Sequence, residues 1–220
     1  MKRRLHLSLV SCLLATAIAA QTQVASANEV QTGKIIAPLQ TRWAEIKYNL
    51  PENERTQAFK ALADQSQTIV DKNPQIADYW VWHGIILSTW AGEKGGLGAL
   101  KLVKQAKAAL EQALTIDDKA LQGSAYTSLG ALYYQVPGWP IAFGSDKKAR
   151  EYLEKGLAIN PDGIDSNFFY GDFLARQNEY EKARSVLEYA LQAAPRPQRP
   201  LADQGRREEI RNLLAKLSGS

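Results

Sequence analysis

One spacing occurs three times in this chain and restricts its fold more than any other feature. Ala106-Leu110-Ala113, Ala149-Leu153-Gly156 and Ala183-Leu187-Ala190 each set a small residue, a leucine and a second small residue at steps of four and three. Upstream of each lies another register: Trp80-x-x-His83-Gly84-x-x-Leu87, Tyr126-x-x-Leu129-Gly130-x-x-Tyr133 and Asn167-x-x-Tyr170-Gly171-x-x-Leu174. Steps of three and four place these residues on one face of a helix. A small residue on each of two paired helices lets their backbones approach, and the large neighbours fill the grooves alongside. Ala149 to Ala183 and Pro161 to Pro195 each span 34 residues. The unit is therefore a helical pair, repeated. No alternating apolar run bounded by hairpin turns competes with it, so the fold class is all-α.

The paired registers resemble the tetratricopeptide repeat, in which W-x2-L-G-x2-Y is followed by A-x3-F and then proline. That resemblance implies a solenoid of helical hairpins, with three clear repeats over residues 77–197. A degenerate pair precedes them over 28–76: Leu39, Trp43, Ile46 and Leu50 form one stripe and Phe59, Leu62, Ile69 and Val70 another, closed by Asn73-Pro74. At the other end, 198–220, Leu201, Ile210, Leu213, Leu214 and Leu217 predict a final amphipathic helix. Its charged back, Arg206, Arg207, Glu208, Glu209 and Arg211, suits a solenoid cap.

The interval from the first-helix glycine to the second-helix alanine is 12 residues in the third repeat (Gly171 to Ala183), 19 in the second (Gly130 to Ala149) and 22 in the first (Gly84 to Ala106). Insertions near 91–100 and 136–144 thus fall at equivalent turns and emerge on one edge. The first holds Gly95, Gly96 and Gly98, but a helix precedes it and no Gly-Lys-Ser/Thr follows, so it is not a phosphate loop. The second, Val136 to Gly144, forbids helix through Pro137 and Pro140. It carries Trp139, Ile141 and Phe143, which are too apolar to hang freely in water; Ser145-Asp146 then predicts an N-cap. Either this loop seals the core of its own repeat, or it covers a ligand or partner.

The first residues read as a leader. Lys2, Arg3 and Arg4 precede the apolar run Leu5 to Ala20, and Ala25-Ser26-Ala27 is a small-x-small cleavage site, which makes 1–27 a cleavable signal peptide. This predicts export across the inner membrane, with a periplasmic location. A lipobox reading of Leu9-Val10-Ser11-Cys12 is the weaker one, because the apolar run continues past Cys12. Of 27 Lys and Arg against 23 Asp and Glu, three bases and no acids belong to the leader, so cleavage leaves a nearly neutral chain. The basic balance is then no argument for nucleic acid. Cys12 is the single cysteine, so the cleaved chain has no thiol for a disulfide, catalysis or metal. No apolar stretch after the leader is long enough to span a membrane.

Catalysis finds little footing. His83 is the one histidine beyond the leader, and it replaces a packing leucine of the repeat; Asp117, Asp118, Asp162 and Asp165 stand at helix ends, where they cap. The expectation is no enzyme, no metal and no cofactor. Binding is the better class. The repeat resemblance implies that the concave face of the first helices reads a protein or peptide, and by register that face includes Asp78, Val81, Ile85, Thr127, Tyr134, Phe168, Asp172 and Arg176, with Trp139 and Phe143 added from the loop. A second resemblance rests on Leu129-Gly130-Ala-Leu-Tyr-Tyr134, the Pro/Gly insertion and Ser145-Asp-Lys-Lys-Ala149. It is to the periplasmic accessory subunits of tripartite solute transporters, and implies a homo-oligomer that holds an apolar small molecule.

Overall fold

The computed structural model describes residues 30–219; the leader and Cys12 lie outside the described residues. The chain divides into two compact units, 1–38 and 39–220. The described part of the first, residues 30–38, is helical, as are residues 39–48 of the second, and residues 30–48 are labelled α1. Eight more helices follow among the described residues: α2 Glu52–Lys72, α3 Ala77–Lys94, α4 Gly96–Ile116, α5 Ala120–Gln135, α6 Asp146–Ile159, α7 Ile164–Arg176, α8 Tyr180–Ala190 and α9 Pro200–Ser218. No strand occurs among these residues, only an isolated bridge between Gly138 and Gly144.

The paired registers meet as the sequence requires. A methyl group on Gly84 would stand 2.6 Å from Leu110 Cγ, on Gly130 2.5 Å from Leu153 Cγ, and on Gly171 2.7 Å from Leu187 Cγ. The same contact closes α3 on α4, α5 on α6 and α7 on α8. Ala106, Ala149 and Ala183 are fully buried beside it. Among the described residues the protein is an all-α stack of repeated helical hairpins.

The stack bends, and the pattern of neighbours gives the direction. Each first helix adjoins the next, α3 with α5, α5 with α7 and α7 with α9, whereas α4 and α6, like α6 and α8, do not approach each other. First helices therefore line the inner side and second helices splay on the outer one. In this series α9 takes the place of a fourth first helix, beside α7 and α8.

Two details depart from the sequence expectation. The ten-residue insertion near 91–100 forms no loop. It lengthens α3 and α4, which are joined by Gly95 alone at φ 61°, a left-handed conformation that favours glycine. Ala91, Glu93, Lys94, Leu97, Ala99 and Leu100 propagate helix well and outweigh the poor helix formers Gly92, Gly96 and Gly98 among them. The second departure is a left-handed turn, Leu121-Gln122-Gly123, at the start of α5 (φ 47°, 56° and 71°). Gly123 lies against Ile159, where a methyl group would meet Cδ1 at 2.9 Å, so regular helix begins only at Ser124.

Candidate functional site

The inner side is filled by the chain's own residues. Arg206 of α9 is buried; it donates from Nε to Asp165 Oδ1 (2.8 Å) and from NH1 to Glu209 Oε2 (2.6 Å), and its guanidinium lies 4.2 Å and 4.7 Å from the ring centroids of Phe168 and Phe169. Arg196 reaches the other oxygen of Asp165 at 2.8 Å and donates from Nε to Asp203 at 2.7 Å. Burial would raise the Asp165 carboxyl, but Arg206, Arg196 and Arg199 outweigh it and hold it well below the usual carboxylate range. Opposite α9 stand the aromatic residues of α1 and α3. Gly205 lies against the Tyr48 ring, Tyr48 O–H donates to Glu209 (3.4 Å), and Arg199 sits 5.1 Å over Trp82. Trp43 packs edge-on against both Tyr48 and Trp82, and its Nε1 donates to Thr89 Oγ1 at 2.9 Å. The last inner helix thus touches the first.

This revises the sequence picture of α9. Arg206 faces inward rather than lying on a solvated back, and Arg207 donates to the C-terminal carbonyls of Leu191 and Ala193. Of the five charges, Glu208 and Arg211 are the exposed pair. Periodicity could not find this: the pairing depends on Asp165, 41 residues upstream, and a charged residue on a helix ordinarily signals solvent.

The sequence-derived site residues separate into three groups. Val81 and Thr127 are buried, and Thr127 packs directly on Gly156 in the α5–α6 contact. Phe168 lies under Arg206, while Asp78 and Ile85 are half-buried in α3. Tyr134, Asp172 and Arg176 come together at the C-terminal ends of α5 and α7. Tyr134 O–H donates to Asp172 Oδ2 at 2.7 Å, Arg176 Nε donates to the same oxygen at 3.3 Å, and the guanidinium lies 5.1 Å over the Tyr134 ring. Gln135 completes the cluster with a bond to the phenol oxygen at 3.2 Å. Burial, followed by the charge and hydrogen bond of Asp172, holds the Tyr134 phenol well above its ordinary pKa. It is a fixed hydrogen-bond donor and no base. Arg176 is the exposed charge of the cluster, beside the exposed amide of Gln135.

The loop next to this cluster divides its apolar residues. Phe143 turns inward, edge-on to Tyr133 at 5.4 Å, with Lys107 Nζ 5.8 Å from its ring. Trp139 turns outward and is 89% exposed; Ile141 is 61% exposed. Backbone bonds fix the loop: Ile141 N–H to Gly138 O (3.1 Å), Gly144 N–H to Pro137 O (2.9 Å) and Ser145 N–H to Tyr133 O (2.8 Å). Gly144 leaves no room for a side chain, since a methyl group would stand 2.1 Å from Val136 O. Ser145 then caps α6 by accepting from Lys148 N–H.

His83 is 4% exposed and shares a 2.8 Å hydrogen bond between Nδ1 and the Ser66 hydroxyl. Burial lowers its pKa to about 4, so it is neutral at pH 7 and packs under Trp80. No group of three or more His, Cys, Asp or Glu is placed to hold a metal among the described residues.

No protein-family model matches the sequence, and no curated protein matches it. Among solved structures it is similar to one described as the crystal structure of MamA, with a TM-score of 0.45 and 16% identity, covering 76% of this chain and 91% of that one.

Proposed function

We propose that this is an exported, non-catalytic scaffold that binds a protein partner at the rim formed by Tyr134, Asp172 and Arg176. Export rests on the leader of residues 1–27. One observation carries the site: α9, Arg199 and Arg206 fill the deeper inner face, while the rim cluster is built from two successive repeats and presents an exposed arginine. Tyr and Arg are the side chains through which protein interfaces gain most of their energy. Here both are already held in place by Asp172, so little side-chain freedom is lost on binding.

Site-specific photo-crosslinking in the producing cell tests this reading. A benzoyl-phenylalanine at position 176 is expected to yield an adduct with one other protein, and the same probe at the outer, exposed position 188 is not. Arg176→Ala should weaken capture about tenfold or more, in the range of an interface hot spot. Equal labelling from both positions, or none from 176, would remove the rim from the account.

A further inference from the structure

Leu97 (88% exposed), Trp139 and Ile141 are large apolar side chains displayed at hairpin tips. Leu97 follows the Gly95 joint of α3 and α4, and the other two stand in the loop between α5 and α6. In stacked antiparallel hairpins both joints fall on the same edge. The loop from Val136 to Gly144 leans on α4 through Phe143 and Lys107, partway along that helix from Leu97.

The charge around these tips is mainly positive, with Glu93 and Asp146 as the flanking acids. No Asp or Glu occurs from Lys94 through Leu110, a segment with four lysines. Leu97, Lys101 and Lys104 stand at i, i+4 and i+7, one exposed stripe of α4. Beyond the loop, Lys147 and Lys148 are exposed, and Asp146 is the sole acid between Val136 and Arg150. An exposed Trp with an apolar neighbour in a loop between two lysine-bearing helix starts matches a phospholipid interface: the indole settles at headgroup depth, and ammonium groups are drawn to anionic headgroups. Protein hot spots, by contrast, sit centrally and are surrounded by packed neutral contacts.

We infer that this edge docks the protein on an anionic phospholipid surface, with Trp139, Ile141 and Leu97 entering the interface and Lys101, Lys104, Lys147 and Lys148 lying over headgroups. No spanning segment is required, and no helix among the described residues is long and apolar enough to cross a membrane. Because the loop is already ordered by its prolines and backbone bonds, insertion costs little conformational entropy. The docking side chains are not those of the adjoining Tyr134–Asp172–Arg176 cluster, so vesicle binding and crosslinking from position 176 are read apart.

Vesicle flotation of the purified protein, without any partner, tests the inference. With phosphatidylcholine vesicles containing about 30 mol % phosphatidylglycerol, a modestly anionic surface, the protein should float. With phosphatidylcholine alone it should not. Neutralising lysines to Gln should weaken binding roughly fivefold each, and added salt should weaken it further. The double variant Trp139→Ser, Ile141→Ser should abolish flotation while melting as the parent does. Trp139→Phe should keep flotation and lose the vesicle-induced blue shift of Trp emission, which marks that side chain as the inserted one. Absence of flotation, equal flotation on neutral vesicles, or flotation untouched by the double variant would overturn the inference. So would loss of self-association, rather than of vesicle binding, in that variant, because the edge would then join copies of the chain.

Discussion

Gly130→Ala is the substitution for which helix propensity and packing give opposite signs. In a bare helix, replacing Gly by Ala stabilises by about 1 kcal/mol. In this stack the new methyl would lie 2.5 Å from Leu153 Cγ, 2.8 Å from Cδ2 and 3.0 Å from the Leu153 backbone nitrogen. The first two atoms can move only by leaving a fully packed rotamer, and the third belongs to a helix. Overpacking of this kind costs roughly 1–3 kcal/mol, so the net expectation is a loss of up to about 2 kcal/mol. For a chain of this size that lowers Tm by up to about 8 °C. Gly92→Ala is the internal control. Gly92 is an exposed position in α3 with nothing within 4 Å of an added methyl, and there the propensity gain of up to about 1 kcal/mol should appear unopposed. Both are read by thermal and urea denaturation. A double-mutant cycle isolates the contact, since in a Leu153→Ala background the Gly130→Ala penalty should largely vanish. If Gly130→Ala raises Tm as Gly92→Ala does, the close approach of α5 and α6 is wrong, and with it the packing rule assigned to all three repeats.

Other outcomes follow from the same structure. The His83 pKa is lowered on folding to about 4, so the unfolded chain takes up this proton first as pH falls below about 6.5. Stability is then full above that pH and declines through the window down to 4, by about 2 kcal/mol between pH 7 and 5; urea midpoints should show it, and His83→Gln should flatten the profile. Asp165→Ala removes the carboxylate shared by Arg206 and Arg196 and leaves them Glu209 and Asp203, with an expected cost of about 2–3 kcal/mol, whereas replacing the exposed Glu208 by Ala should change stability by less than about 0.5 kcal/mol. Trp139→Ala removes an exposed ring, so urea midpoints should shift by less than about 0.5 kcal/mol, against the 3–5 kcal/mol typical of a buried Trp. N-terminal sequencing of the exported protein should begin at Asn28.

The hairpin stack was legible because its signal is local and repeated. Gly84, Gly130 and Gly171 and their leucine partners sit at fixed spacing, and any helix-pair geometry that buries one buries all three. What the sequence withheld were choices between equivalent signals. Trp139, Ile141 and Phe143 look alike as apolar loop residues, yet only Phe143 meets Tyr133, because inward and outward positions are set by the loop's own turn bonds. The Gly95-Gly96-Gly98 stretch resembles a loop but ends as a single-residue joint, since the Ala, Leu and Lys residues around it outweigh Gly96 and Gly98 in favour of helix. Of the expected concave residues, Tyr134, Asp172 and Arg176 converge, while Thr127 packs on Gly156 within its own hairpin. Register alone cannot tell an inner face from a pair contact when the helix is wrapped on both sides.

Closure of the inner face by the chain's own last helix moves binding to the rim and edge. Photo-crosslinking from benzoyl-phenylalanine at position 48 tests this directly in the purified protein, because Tyr48 lies against Gly205. The predicted product is an intramolecular adduct with the peptide around Gly205 of α9, found by mass spectrometry and unchanged by dilution. Recovery of the probe unreacted, or attached to a segment other than α9, would mean that the groove stands open and that a partner is to be sought inside it.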